Sequence, residues 1–137
     1  MYQKISVPVD LQHKDHLDKA IQTAADLART YQSDLTLVAI TVNEATPVAH
    51  NPEEFKTKME AFTQEQAQKY GVEMSAKVVT SHDIAIDLDD VLDKVLHELG
   101  TDLVVMASHI PGYRDYVFTS NAGYIASHAD MSVMVVR

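Results

Sequence analysis

Cysteine is absent from all 137 positions, and so is tryptophan. Without a thiol the chain makes no disulfide, no thiolate metal site and no cysteine nucleophile. Glycine is scarce: the four are Gly71, Gly100, Gly112 and Gly123. Loops of the G-x-x-x-x-G-K-[ST] or G-x-G-x-x-G kind need several glycines close together so that backbone amides can approach a phosphate, and neither motif occurs. Positive charge is also short, with 11 Lys and Arg against 20 Asp and Glu and a net charge of −9. The basic residues are scattered, so no stripe exists to neutralise a nucleic-acid backbone or an anionic membrane, and neither is an expected partner. A small anion held locally by backbone N–H groups remains compatible. No apolar run reaches the length of a membrane span.

Other absences bear on chemistry. There is no H-E-x-x-H pair and no G-x-S-x-G elbow, so neither a zinc hydrolase nor a serine hydrolase is indicated. His82 and Asp83 are adjacent, which does not make a triad. His128 sits beside Ala126 and Ala129 without partners at ligand spacing, and reads as a hydrogen-bonded histidine. Asp87, Asp89, Asp90 and Asp93 spread around the start of a predicted helix, where carboxylates favour the positive end of the macrodipole. No metal ligand is assigned. The start, Met1-Tyr2-Gln3-Lys4-Ile5, enters an apolar run directly without a signal-peptide core, and a cytoplasmic location is expected.

What is present is the composition of a compact protein: 46% apolar residues and 23% charged. The length fits one domain, 1–137. Short β-branched runs at 5–9, 35–42, 74–80, 103–107 and 132–136 read as strands. Longer patterns with three- and four-residue spacing separate them. Asp15 is placed to cap the first helix, whose apolar positions run from Leu17 to Tyr31. Phe55, Met59, Phe62 and Tyr70 mark a second helix ending at Gly71. Leu88, Val91, Leu92, Val95, Leu96 and Leu99 mark a third closed by Gly100, and Ser120 or Asn121 caps a fourth reaching His128. The order βαβαβαβαβ predicts an α/β fold: an open five-stranded parallel sheet with helices on both faces.

Such sheets bind ligands beyond the carboxyl ends of their strands, where strand order reverses. The strand ends nominate Asp10, Thr41 to Asn43, Ser81 to Asp83, and Ser108 to Asp115. For Asp10 two readings stand side by side: a carboxylate accepting hydrogen bonds from a ligand's sugar or base, or the N-cap of a following helical turn. Ser120, Asn121 and the first amides of the last helix form a possible anion cradle.

The segments K-I-S-V-P-V-D, T-D-L-V-V-M-A-S-H and S-N-A-G-Y-I-A-S-H-A-D-M-S-V-M-V-V-R resemble the universal stress protein family along the whole chain. The combination A-S-H-x-P, S-N-A and H-A-x-x-S-V-x-V-V-R is most similar to its short F and G branch. The resemblance implies an adenine-nucleotide alpha-hydrolase-like fold with strand order 3-2-1-4-5, and a homodimer paired through the C-terminal strand 132–136. It implies ATP or another adenine nucleotide as ligand, and regulatory proteins as further partners. Carried over position by position, the motif glycines fall on Ala107, Ile110 and Thr119, and the phosphate-binding serine on Ser120, followed by Asn121. Asp10 is the acidic residue at the nucleoside, and the backbone that reads the adenine lies near Val38 and Ala39. Ser108 and His109 stand between the first two motif positions. Arg114 is the nearby cation able to replace lost amide contacts. All three glycines are replaced, and β-branched Thr119 sits where positive φ is favoured.

Two functions follow. One is a dimeric stress-response protein that binds an adenine nucleotide weakly. The other is a dimeric protein-interaction module that has lost nucleotide binding. An enzyme such as a slow ATPase has least support, because no base, metal cluster or arginine finger is readable. Met131, Val133 and Val135 alternate with Ser132, Met134 and Val136, and pairing would protect this apolar terminal strand from aggregation.

Overall fold

Apolar side chains at alternate strand positions equip both faces of a sheet, and the chain uses them so. The computed structural model describes residues 1–81, 84–107 and 130–137, with the backbone alone described over 84–89. Five strands, β1 (Lys4–Pro8), β2 (Asp34–Val42), β3 (Ser75–Ser81), β4 (Leu103–Ala107) and β5 (Ser132–Val136), alternate with α1 (Asp18–Tyr31), α2 (Pro52–Tyr70) and α3 (Ile84–Glu98). All strand pairs are parallel, in the order β3-β2-β1-β4-β5. The expected architecture and order are therefore found. The fourth helix and its Ser120 or Asn121 cap lie outside the described residues.

Ile5 and Val7 of β1, Leu35, Leu37 and Ala39 of β2, and Leu103 and Val105 of β4 share one apolar cluster with α1 and α2. Val38, Val104 and Met106 point the other way and join Leu92, Val95 and Leu96 of α3. The helix α1 meets the sheet through Ala20, Ala24, Ala25 and Ala28, all nearly fully buried. Small side chains let helix and strand backbones approach closely, so dispersion contacts are dense there. Ser6 is a buried polar residue on the α3 face: its hydroxyl meets that of Thr101 at 2.7 Å in the interior, so neither is left without a partner.

The first strand and the third are each displaced by one residue from expectation, at Lys4–Pro8 and Ser75–Ser81. A larger correction concerns Asp15. It does not cap α1: a 3₁₀ segment, Leu11–His16, precedes that helix, and Leu17 takes the cap position without a side-chain hydrogen bond. The reason is local competition. Asp10 accepts from the Gln12 N–H and starts the tighter turn five residues earlier, while buried Leu11 and Leu17 pin both of its ends.

Pro8 shapes the middle of the sheet. The Val9 N–H donates to the Val38 carbonyl on the β2 side. The nitrogen one residue earlier therefore faces β4, and a proline nitrogen has no hydrogen to donate. The β1–β2 register runs through to Pro8↔Val38, whereas the β1–β4 register is confined to Ile5↔Leu103 and Ser6↔Val104. The ladder stops early on the side where strand order reverses.

Candidate functional site

Chain direction makes the carboxyl ends of β1 and β4 neighbours at the reversal, because β1 connects onward to β2 on one side and borders β4 on the other. The early end of their ladder falls at the strand-order reversal, the place where open α/β sheets hold ligands. Asp10 stands there, two residues past β1. Val38 and Ala39 lie beside it on β2, and Ala107 closes β4. The structure thus brings together four of the residues nominated from the sequence. Ser108, His109, Ile110, Arg114, Thr119, Ser120 and Asn121 lie outside the described residues.

Val38 and Ala39 are buried, the Val38 carbonyl accepts from the Val9 N–H, and Ala39 pairs with Val78 of β3. Beyond Val38 the strand offers more. Pairing with β3 continues to Val42↔Ser81, but pairing with β1 ends at Val38. Since the Val38 carbonyl faces β1, that of Ile40 faces the same side, past the end of the ladder. A planar group with donor and acceptor edges could continue the ladder here.

Asp10 is held by its own turn. Oδ1 accepts from the Gln12 N–H at 3.0 Å, and Oδ2 lies 3.0 Å from Nδ1 of His13. The His13 N–H in turn donates to the Asp10 carbonyl, and its backbone, at φ −126° and ψ 34°, leaves helical geometry. The two side chains are 29% and 17% exposed respectively, so the pair sits at the boundary between protein and solvent. Of the two readings of Asp10, the geometry shows the N-cap, with the side chain accepting from the Gln12 N–H. Sequence inspection passed over His13. Its signal was a histidine three residues after the strand-end carboxylate, in D-L-Q-H.

Among the described residues, no three or more His, Asp or Glu side chains gather as a metal site. No helix among them is long and apolar enough to cross a membrane. A cavity of about 490 Å³ opens at the opposite edge of the sheet, lined by Lys4, Ser6, Asp34, Thr36, Ser75 and Leu99. It lies at the amino ends of the strands, away from the reversal, and its walls carry charges of both signs. The strand ends at Asp10, by contrast, lie at the reversal.

The model of the universal stress protein family matches residues 1–137. Universal stress protein G of Shigella flexneri is 28% identical over an alignment of 149 residues that covers both chains completely. A universal stress protein structure from Archaeoglobus fulgidus superposes with a TM-score of 0.73 at 17% identity, covering all of both chains. Another from the same organism, in complex with dAMP, gives 0.71 at 17% identity, covering 99% of this chain and 98% of that one. Fold, strand order and full-length match agree: the chain belongs to the universal stress protein family.

Proposed function

We propose that this protein binds an adenine nucleotide weakly at the carboxyl edge of β1, as a dimeric stress-response protein of the cytoplasm rather than an enzyme. The observation that carries this reading is the early end of the β1–β4 ladder at the strand-order reversal, with the Asp10 carboxylate two residues past β1 and the β2 backbone beyond Val38 extending past its β1 partner. The Ile40 backbone, next along β2 from Val38 and Ala39, reads the adenine edge, and Asp10 accepts from the nucleoside. Ala107 lies on the β4 side, with Ser108 next in the chain. His109, Ile110, Arg114, Thr119, Ser120 and Asn121 supply the phosphate contacts. The dAMP complex of the Archaeoglobus fulgidus relative supports the ligand class. Binding asks less of a site than turnover does, because affinity survives losses that a transition state does not tolerate. The whole chain acts as one domain, and dimerisation runs through β5.

Isothermal titration calorimetry tests the reading. AMP or ATP is expected to bind with a Kd in the micromolar to millimolar range. Asp10→Ala weakens it about tenfold, the loss of one charge-assisted hydrogen bond or two. Absence of heat at millimolar nucleotide would overturn it.

A second reading is a dimeric interaction module that has lost its ligand. Replacement of all three motif glycines, by Ala107, Ile110 and Thr119, favours it. Mass spectrometry of small molecules released from the purified protein separates the two, since a copurifying nucleotide contradicts the module.

A further inference from the structure

The pair formed by Asp10 and His13 has no counterpart in the family motif carried over above, and its geometry is specific. A partly exposed carboxylate just beyond a strand end would ordinarily sample several rotamers, and ordering it would cost a ligand part of its binding energy. Here one oxygen is fixed by a backbone N–H and the other by an imidazole nitrogen, each at 3.0 Å. The imidazole is fixed as well. The His13 backbone is tied to the Asp10 carbonyl, and its side chain is only 17% exposed. Each carboxylate oxygen has a second lone pair, so the bonds within the turn do not exhaust its capacity to accept. The result is a carboxylate held in one orientation with acceptor positions remaining on both oxygens. That arrangement matches a vicinal diol, whose two hydroxyls donate in parallel to the two oxygens of one carboxylate.

We propose that His13 is a positioning residue for the ligand site: by donating from Nδ1 to Asp10 Oδ2, it presents the carboxylate to the ribose diol of the bound nucleotide and favours ribonucleotides over 2′-deoxyribonucleotides. The proposal rests on the nucleotide-binding reading above. His13 acts through Asp10, so its removal and the removal of the carboxylate overlap in their effects. Asparagine is the informative replacement, because its side-chain amide N–H lies close to where the imidazole Nδ1–H was.

The experiment is calorimetric titration of AMP and of dAMP into the wild-type chain, His13→Ala, His13→Asn, Asp10→Asn, and the double variant Asp10→Asn with His13→Ala. Thermal unfolding of each variant checks that it is folded. Wild type is expected to bind AMP about tenfold more tightly than dAMP, the worth of one hydrogen bond to a charged group. His13→Ala should lose most of that preference and bind AMP about five- to tenfold more weakly, with His13→Asn restoring both. In the Asp10→Asn background, His13→Ala should add less than about twofold. If His13→Ala binds AMP and dAMP as wild type does, the positioning role is overturned and nucleotide binding stands. Equal losses in His13→Ala and His13→Asn, or losses that add fully to those of Asp10→Asn, overturn it as well. If wild type binds neither nucleotide, the underlying reading fails and this inference fails with it.

Discussion

Glu54 is the side chain whose ionisation the fold perturbs most visibly. Its carboxylate accepts from the His50 backbone N–H at 3.0 Å and lies 3.0 Å from His50 Nδ1 and 3.2 Å from Lys58 Nζ. Those partners, the His50 N–H first, depress its pKa from the ordinary 4.5 to about 2. Asn51 completes the arrangement by capping α2 through the Glu54 N–H at 2.8 Å, with Pro52 in the first turn. A folded-state value below the unfolded one means stability that is present above about pH 4.5 and lost as pH falls through about 2. Glu54→Gln should therefore flatten the acid limb of a urea-unfolding series taken across that window, by lowering the stability above about pH 4.5. Asn51→Ala should cost about 1 kcal/mol at every pH, read from the same curves. The cap was hidden in the sequence among the polar residues of the 43–52 loop. Asp10 was legible as a residue but not as a role, because whether a strand-end carboxylate turns inward to cap or outward to bind depends on which N–H groups the next turn presents.

At the scale of elements, helix ends separate what pattern predicts from what it does not. Gly71 and Gly100 occupy positive φ, 66° and 69°, at the ends of α2 and α3, as their positions suggested. The end of α1 has no glycine. Gln32 takes the left-handed conformation instead, at φ 55°, with its N–H bonded to the Ala28 carbonyl. A side chain at that φ is strained relative to glycine, so Gln32→Gly should stabilise the protein by about 1 kcal/mol, seen as a higher urea midpoint with an unchanged slope. The stripe of α2 was only partly readable. Phe55, Met59 and Phe62 are buried as expected, but Thr63 and Gln66 are buried with them. Thr63 satisfies its hydroxyl on the Met59 carbonyl at 2.8 Å, a back-bond that composition does not announce. In α3, Leu92, Val95 and Leu96 fill the second core as the spacing required.

Over the whole molecule, the two sheet edges differ. On β3 the edge carries Ser75, Lys77 and Thr80, polar or charged residues of the kind that discourage further pairing. On β5 the edge is Ser132-Val133-Met134-Val135-Val136, with Met134 38% and Val135 46% exposed. The strand is anchored from behind: the Ser132 N–H donates to the Asp102 carbonyl, the Tyr2 hydroxyl to Ser132 Oγ, and Lys19 Nζ to the Arg137 carbonyl. An ordered apolar edge of this kind suits pairing with a second copy, which is the dimer proposed above. Val135→Lys, alone or with Met134→Lys, should convert a dimer to a folded monomer in sedimentation velocity, through charge repulsion across the edge. A wild-type chain that sediments as a monomer would remove the dimer from the reading.

The sequence by itself determined the fold class, the number of strands and their alternation with helices along the chain, and both apolar faces, because periodicity is set by local backbone geometry and survives substitution. Strand order came only through likeness to relatives, since nothing in a lone chain says on which side of β1 a later strand will pair. Tertiary structure decided the rest. It ended the β1–β4 ladder at Ser6↔Val104, with Pro8 nitrogen facing β4, and it set Asp10 against His13. Those are relations between groups whose meeting depends on how the chain turns, and residue type alone does not encode that meeting.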